Sequence, residues 1–331
     1  HAAARVKSVL LASSRVNGNV TLPKWSWESG HVDLSGSDVV LHDLRARSTR
    51  DGAGPTVVGT LTVHAPRLMV ADGAPSGNVI ADLPHAVVAD LKGLDEVVPL
   101  PKGLVVDAGH GSGRAHLEFD VASKAATGKV DLRLEATRVH VGKQSITGDL
   151  TATIGARADQ IDRAIDVSGS SVLLSNVASK GEGQAVEGWS ARFDFSDAAL
   201  TVEPVSFRSH IHVKARDAIP VAALLGARTA VPKWAEPTMR MTGLQCDAYV
   251  RGADELIDLR SFVAKGDEDV LVRLGLAVRD QVSAGAVVVH VGKTSAAFNL
   301  DTGATNVILF GADAWFAEHD AALEARFPRR N

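Results

Sequence analysis

The stretch from Lys129 to Ala156, KVDLRLEATRVHVGKQSITGDLTATIGA, alternates apolar and polar residues almost without a break. Val130, Leu132 and Leu134 fall on one parity, and Asp131, Arg133 and Glu135 on the other. After a Gly-Lys-Gln turn the pattern resumes with Ile146, Leu150 and Ile154. A period of two puts each set on its own face of a β-ribbon. Such a ribbon has a greasy side that something must cover, and that requirement constrains everything else about the chain.

The same alternation recurs from end to end. Ala115, Leu117, Phe119 and Val121 share a parity, as do Trp189, Ala191, Phe193 and Phe195. Phe207, Ile211 and Val213 continue it, then Val270, Val272, Leu274, Leu276 and Val278, and finally Phe298. One-sided strands of this kind belong to antiparallel sheets with one solvated face. Leu132, Leu134, Phe193, Phe195, Leu274 and Leu276 are therefore expected to point inward, and Arg133, Asp194 and Arg273 toward water.

Turn signals punctuate the strands at Asp51-Gly52, Asp72-Gly73, Thr127-Gly128, Gly142-Lys143, Gly181-Glu182-Gly183, Gly266-Asp267 and Gly292-Lys293. Strand, short turn and strand in succession predict a meander. The alternation slips phase at Thr137 and at Pro204, where bulges or bends are expected. The Gly- and Pro-rich segments Pro99–Gly113 and Val231–Pro237 read as long connections.

Helical pattern is rare. Over Ala314–Phe327 the residues Trp315, His319, Leu323 and Phe327 lie four apart and form a stripe. That helix could lid one end of a groove or pack on the core. Asp217–Leu225, Val87–Val97 and Val6–Ala12 are weaker helix candidates, the last as the continuation of a preceding segment.

Composition narrows the function classes. The chain has 331 residues with 45% hydrophobic side chains, enough for a substantial core. A net charge of −4, and no basic run longer than Arg329-Arg330, argue against nucleic-acid binding. Cys246 is the only cysteine, so intrachain disulfides and a zinc-cysteine cluster are excluded, and it reads as a small buried hydrophobe. The longest apolar runs, such as Val6–Ala12, fall far short of a membrane span. The opening His-Ala-Ala-Ala reads as that of an excised or processed product, with an anchor expected upstream.

About twenty strands can be arranged in four ways. A membrane β-barrel needs aromatic girdles, and this chain has one Tyr. A β-helix needs a short repeat, which is absent. A pair of sandwiches would bury everything internally. The fourth arrangement is the expectation here: a mostly β protein with an elongated, curled antiparallel sheet. It would form an open, taco-like hydrophobic groove with a few short capping helices. Residues 1–30 would form an N-terminal segment, 31–311 the β-groove domain and 312–331 a C-terminal amphipathic helix. The lining would comprise Leu117, Phe119, Leu132, Leu134, Leu150, Ile154, Phe193, Phe195, Phe207, Ile211, Val213, Val272, Leu274, Leu276 and Phe298. An exposed aliphatic surface of this size calls for a ligand.

No motif carries catalytic chemistry. Gly109-His110-Gly111-Ser112-Gly113 is neither a nucleophile elbow nor a phosphate loop, and reads as a turn. His210 and His212 share a strand face and could ligate a metal, but no third ligand is evident, so a solvated outer face is the expectation. The acidic turns at Asp254-Glu255 and Gly266–Asp269 lack the ligand spacing of a calcium loop. No metal, cofactor or enzymatic activity is expected.

Three segments carry a family resemblance. The strand cadence DLSGSDVVLHDLRARSTRDG…VVGTLTVHAPRLMVADG (Asp33–Gly73) resembles that of AsmA-like proteins, the relatives of the TamB and YhdP group. MTGLQCDAYVRGADELIDLRSFVAKGDEDVLVRLGLAVRD (Met241–Asp280) looks like the C-terminal pattern of that family, and TVEPVSFRSHIHVKARDAIPVAALLG (Thr201–Gly226) has the same character. Together they cover about a third of the chain. The resemblance implies an inner-membrane anchor, a periplasmic β-groove and phospholipid carriage toward the outer membrane, with no catalytic residues. The alternative expectation is a structural β-sandwich scaffold of the cell envelope without bound ligand.

Overall fold

The computed structural model describes residues 2–6, 9–13, 15–19, 25–26, 31–48, 57–92, 104–141, 144–159, 164–180, 186–202, 205–218, 241–253, 256–266, 269–279, 282–300 and 307–327. The chain separates into two compact units, His1–Ile165 with Val172–Gly181, and Asp166–Ser171 with Glu182–Asn331. The division falls inside the 31–311 stretch. Both units are antiparallel β-sheet, as the period-two alternation predicts.

The first unit contains β1 (Ala2–Val6), β2 (Val9–Ser13), β3 (Arg15–Asn19), β4 (Trp25–Ser26), β5 (His31–Asp33) and β6 (Ser37–Ser48). It continues through β7 (Val57–Ala71), β8 (Ala74–Val88), β9 (Leu104–Asp120), β10 (Ala125–Val141) and β11 (Gln144–Ala158). The short β12 (Ala164–Asp166) precedes β13 (Ser171–Lys180), which pairs with β11. From β6 to β11 every strand pairs with its successor in sequence. At the amino end β2 and β3 both pair with β6, and β1 pairs with β2. Val6–Ala12 is therefore not helical: Val6 stands opposite Val9 across a β1–β2 hairpin. A seven-residue apolar run suits either state, and ladder pairing with β6 decides for strand.

The second unit runs β14 (Val186–Val202), β15 (Val205–Asp217), β16 (Thr242–Ala253), β17 (Leu256–Lys265), β18 (Val270–Arg279), β19 (Val282–Val291), β20 (Thr294–Asn299) and β21 (Val307–Ile308). It is again a strict meander. The helix α1 (Ala312–Arg326) follows and is the one helix among the described residues. No helix among them is long and apolar enough to cross a membrane.

Turn chemistry is legible where the link is short. Asp72 and Gly73 take φ of 53° and 77° between the paired Ala71 and Ala74, a two-residue hairpin of the left-handed kind. Gly292-Lys293 is also a two-residue link, from Val291 to Thr294, with Gly292 in the left-handed region at φ 57°. Thr127-Gly128, expected as a turn, lies within β10 instead. The turn is Val121–Lys124, set by Asp120, whose carboxylate accepts from the Ser123 N–H (2.7 Å) and hydroxyl (2.6 Å). Gly266 is described and lies just after β17, but its turn partner Asp267 does not belong to the described residues. Outside them too lie Asp51-Gly52, Gly142-Lys143, Gly181–Gly183, Pro204, the acidic pair Asp254-Glu255, Val231–Pro237 and all of the 217–225 helix candidate beyond Ala218. Of the 87–97 candidate, Val87 and Val88 are strand and 93–97 lie outside.

Bulges interrupt the long strands at corresponding places. The β10–β11 register shifts between Leu134 and Thr137, as the phase slip predicts. Equivalent shifts occur at Leu41/Leu44, Ser196/Ala199 and Leu259/Phe262. Each encloses one residue in the left-handed region: Asp43, Ala136, Asp197 and Ser261. The extra residue bends its strand and sharpens the local twist. At Ala136 the strain is held from outside. Asp149 accepts from the Asn176 Nδ2 at 2.7 Å and from the Ala136 N–H at 3.0 Å, and those two bonds, the first above all, hold its carboxyl below the usual carboxylate range.

Candidate functional site: two aliphatic sheet faces

In the first unit, strand register assembles one laterally continuous apolar face. Across β3 to β6 Val16 faces Leu41, and across β6 to β7 Leu41 faces Leu61 and Val39 faces Val63. Val63 then faces Ala81, Ala81 faces Leu117, and Val79 faces Phe119. Leu132 pairs with Gly113 on one side and Ala152 on the other, while Leu134 faces Leu150 and Val130 faces Ile154. The expected lining residues Leu117, Phe119, Leu132, Leu134, Leu150 and Ile154 thus share a face. Leu117 and Phe119 are 47% and 40% exposed, so nothing among the described residues covers that part.

The expected turn Gly109–Gly113 is a correction that explains the other part. It is a stretch of β9, and its glycines occupy the apolar parity. A Cβ at Gly109 would meet Leu91 Cδ1 at 2.8 Å, and one at Gly111 would meet Leu134 Cδ2 at 2.6 Å. The glycines make room for leucines lying over the sheet. Leu91, anchored by its N–H to the Gly109 carbonyl (2.8 Å), packs with Val88, Val106 and Leu134 and closes that end of the face. Gly128 plays the same part beneath Leu117.

The second unit repeats the construction. Phe193 faces Val213 and Phe195 faces Ile211, and these face Cys246 and Ala248 on β16. Cys246 faces Ala264, which faces Val272, while Leu274 faces Phe262 and Val287, and Leu276 faces Leu259. Val287 in turn faces Phe298. Phe207 joins through an edge-to-face contact with Phe195, centroids 6.3 Å apart. Small residues such as Cys246, Ala264 and Ala248 are buried, whereas Phe193, Phe195, Leu274, Leu276 and Phe298 stay half-exposed above them. Burial, and then the Asp247 carboxylate, push the Cys246 thiol up to about 12, which leaves it an inert apolar group.

Helix α1 lies on the opposite face of this sheet. Phe316 and Ala312 pack with Ala286, Val288 and Ala297, and Leu323 packs with Leu256, Ala277 and Ala284. Of the expected stripe only Leu323 is fully buried; Trp315 stacks on His319 with centroids 3.8 Å apart. The missed contact is Phe316, one residue off the stripe. Arg273 points to this face as expected, but it lies under the helix rather than in open water: its guanidinium stands 5.0 Å from the Phe316 ring and 3.6 Å from Asp313. The helix leaves the Leu274 and Leu276 side of the sheet untouched.

The wet faces carry cross-strand polar ladders. Asp131 takes hydrogen bonds from the Thr153 hydroxyl (2.7 Å) and Arg114 (2.8 Å), which hold its carboxyl below the usual range. Arg133 faces water beside Glu135 at 2.8 Å. Asp194, half-buried on the same side as His212, pairs with Arg192. His212 bonds Asp247 at 2.8 Å and His210 leans on the Tyr249 ring, on the side away from Ile211 and Val213. No group of three potential ligands that could hold a metal occurs among the described residues. Comparison of the chain with protein-family models, curated proteins and solved structures finds no match.

Proposed function

We propose that this chain binds acyl-chain lipid on its aliphatic sheet faces and passes it along, as a lipid-transfer module of a bacterial envelope. One observation carries the reading: each unit presents a register-aligned apolar face on which most of the leucines and phenylalanines remain at least partly exposed, while helix α1 of the second unit packs on the other side. A face built this way is unstable in water unless something apolar covers it. Acyl chains laid on it gain about 0.8 kcal/mol per buried CH₂. Aliphatic side chains without stacked rings suit a flexible chain that must slide. The polar ladders on the reverse side keep the sheet soluble, and no nucleotide-binding or catalytic element is required for passive movement.

The resemblance to AsmA-like proteins supports a periplasmic setting with an inner-membrane anchor and phospholipid as cargo. The deciding experiment is organic extraction of purified protein followed by lipid mass spectrometry. Phospholipid in stoichiometric amount is the expected result. Protein that is repeatedly free of lipid, and that takes up none from vesicles, overturns the reading in favour of a structural scaffold.

A further inference from the structure

The wet face of the first unit carries a feature that the lipid reading does not use. Near one end of β9, β10 and β11 a cleft of about 580 Å³ is lined by Asp107, Arg138, His140, Ser145, Thr147 and Ala178. Register explains why these residues meet. After the β10 bulge Arg138 faces Thr147 and His140 faces Ser145, all on the side away from Val139 and Ile146. On the other flank β10 is paired with β9, with Arg138 opposite Ala108 and His140 opposite Val105, and the shift there turns Asp107 into the cleft.

The donor and acceptor inventory is unbalanced in a specific way. Asp107 uses one carboxylate oxygen on His140 Nε2, 2.8 Å away. Its other oxygen, Oδ1, is buried and has no hydrogen-bond partner among the described residues. A buried carboxylate oxygen left unpaired is costly and calls for a donor, best a cationic one. Beside it Arg138 offers guanidinium donors, and Ser145 and Thr147 offer hydroxyls, a set that recognises phosphate oxygens. A simple anion satisfies only half of this site, since it would be placed against Asp107. A simple cation satisfies only the other half.

We propose that this cleft binds a small zwitterion carrying a primary ammonium and a phosphate, the ammonium on the Asp107 carboxylate, which turns its free Oδ1 toward the cleft to meet it, and the phosphate on Arg138, Ser145 and Thr147. His140 is a positioning residue that fixes the Asp107 carboxylate. The site is independent of the aliphatic faces, because it opens on the opposite side of the sheet. The shared chemistry is that of phosphoethanolamine, either free or as the headgroup of a lipid at a membrane surface.

The test is calorimetric titration of the full chain with phosphoethanolamine, ethanolamine and inorganic phosphate. Phosphoethanolamine is expected to bind at least about tenfold more tightly than either fragment. Asp107→Asn is expected to remove that preference while leaving the weak phosphate binding intact, and Arg138→Gln to weaken phosphoethanolamine and phosphate together. Both side chains reach solvent in the cleft, and circular dichroism of each variant checks that it folds. Equal affinity for phosphoethanolamine and phosphate, no binding of any probe, or binding indifferent to both substitutions overturns the proposal. Flotation with vesicles of phosphatidylethanolamine and phosphatidylcholine, against phosphatidylcholine alone, separates the two sources. Retention lost in Asp107→Asn assigns a headgroup, and soluble binding without retention assigns the free compound.

Discussion

Arg260, on the middle of β17, donates through Nη2 to the main-chain carbonyl of Leu323 at 3.0 Å and so closes the last turn of α1 from the sheet beneath. The same guanidinium also reaches the Phe327 carbonyl at 3.5 Å. It is held in turn by Asp258, which is fully buried and also receives Arg251 at 3.1 Å. A cation under the carboxyl end of a helix meets the unsatisfied carbonyls and the negative end of the helix dipole.

Asp258→Asn should therefore destabilise the second unit, toward the lower end of the about 3–5 kcal/mol that breaking a buried ion pair costs, because Glu324 still stands 3.6 Å from Arg260 Nη1. Urea unfolding reads the loss, and hydrogen exchange should show residues 320–326 opening first. Asp258→Leu combined with Arg260→Met should recover much of the stability, since an apolar pair carries no desolvation penalty. A single Asp258→Asn variant as stable as the parent removes the claim that this network docks the helix.

Gly111→Ala tests the close approach beneath the first apolar face. The added methyl meets the Arg133 carbonyl and Leu134 Cδ2, neither of which can retreat freely from a paired strand. A cost of about 1–3 kcal/mol is expected from overpacking. Gly113→Ala, whose methyl meets its nearest atom at 3.1 Å, should cost less. Urea midpoints in the reverse order would show that the glycines are not there for the leucines.

Leu132→Asp and Leu274→Asp place a carboxylate on each aliphatic face. Both leucines are only half-buried, so each variant should stay folded with a modest fall in Tm while transfer of a fluorescent phospholipid between vesicles drops sharply. Collapse of folding instead would mark a dry closed core. Normal folding with normal transfer would remove these residues from any lipid path.

Cys246 sets a pH dependence. In the unfolded chain its thiol ionises near 9, whereas in the fold burial and Asp247 keep it protonated to about 12. Between those values the unfolded state holds fewer protons, so stability from the protonated thiol is complete below about pH 9 and is lost progressively toward pH 12. Guanidinium midpoints of the parent should fall more steeply over that window than those of Cys246→Ala. Parallel slopes would mean the thiol titrates normally.

The sidedness of the strands was legible because leucine, valine and phenylalanine alternate with charge, as at Val130–Arg133 and Val270–Arg279. It failed where the apolar face is made of glycine. Gly109, Gly111 and Gly113 sit on the same parity as Leu117 and Phe119, but with no side chain they carry no hydrophobic signal, and their density mimics a turn. Gly275 and Ala277 misled in the opposite sense: on β18 the side read as wet is the docking surface of α1, because small residues admit a helix closely. The cleft around Asp107 was hidden because its residues come from four strands, β9, β10, β11 and β13, with register shifts setting their phase, and no spacing in the chain records that.

From β6 to β11, and again from β14 to β21, each strand bonds to the next one in sequence. An architecture wired this way has length as a free parameter. Duplicating one hairpin would widen a unit by about 10 Å, two inter-strand spacings, and would require new pairing at only one seam. The outward ladder and the aliphatic parity would simply be copied with it. A lineage built on such a plan can match its span to the distance that selection demands by adding or dropping hairpins, without redesigning a core.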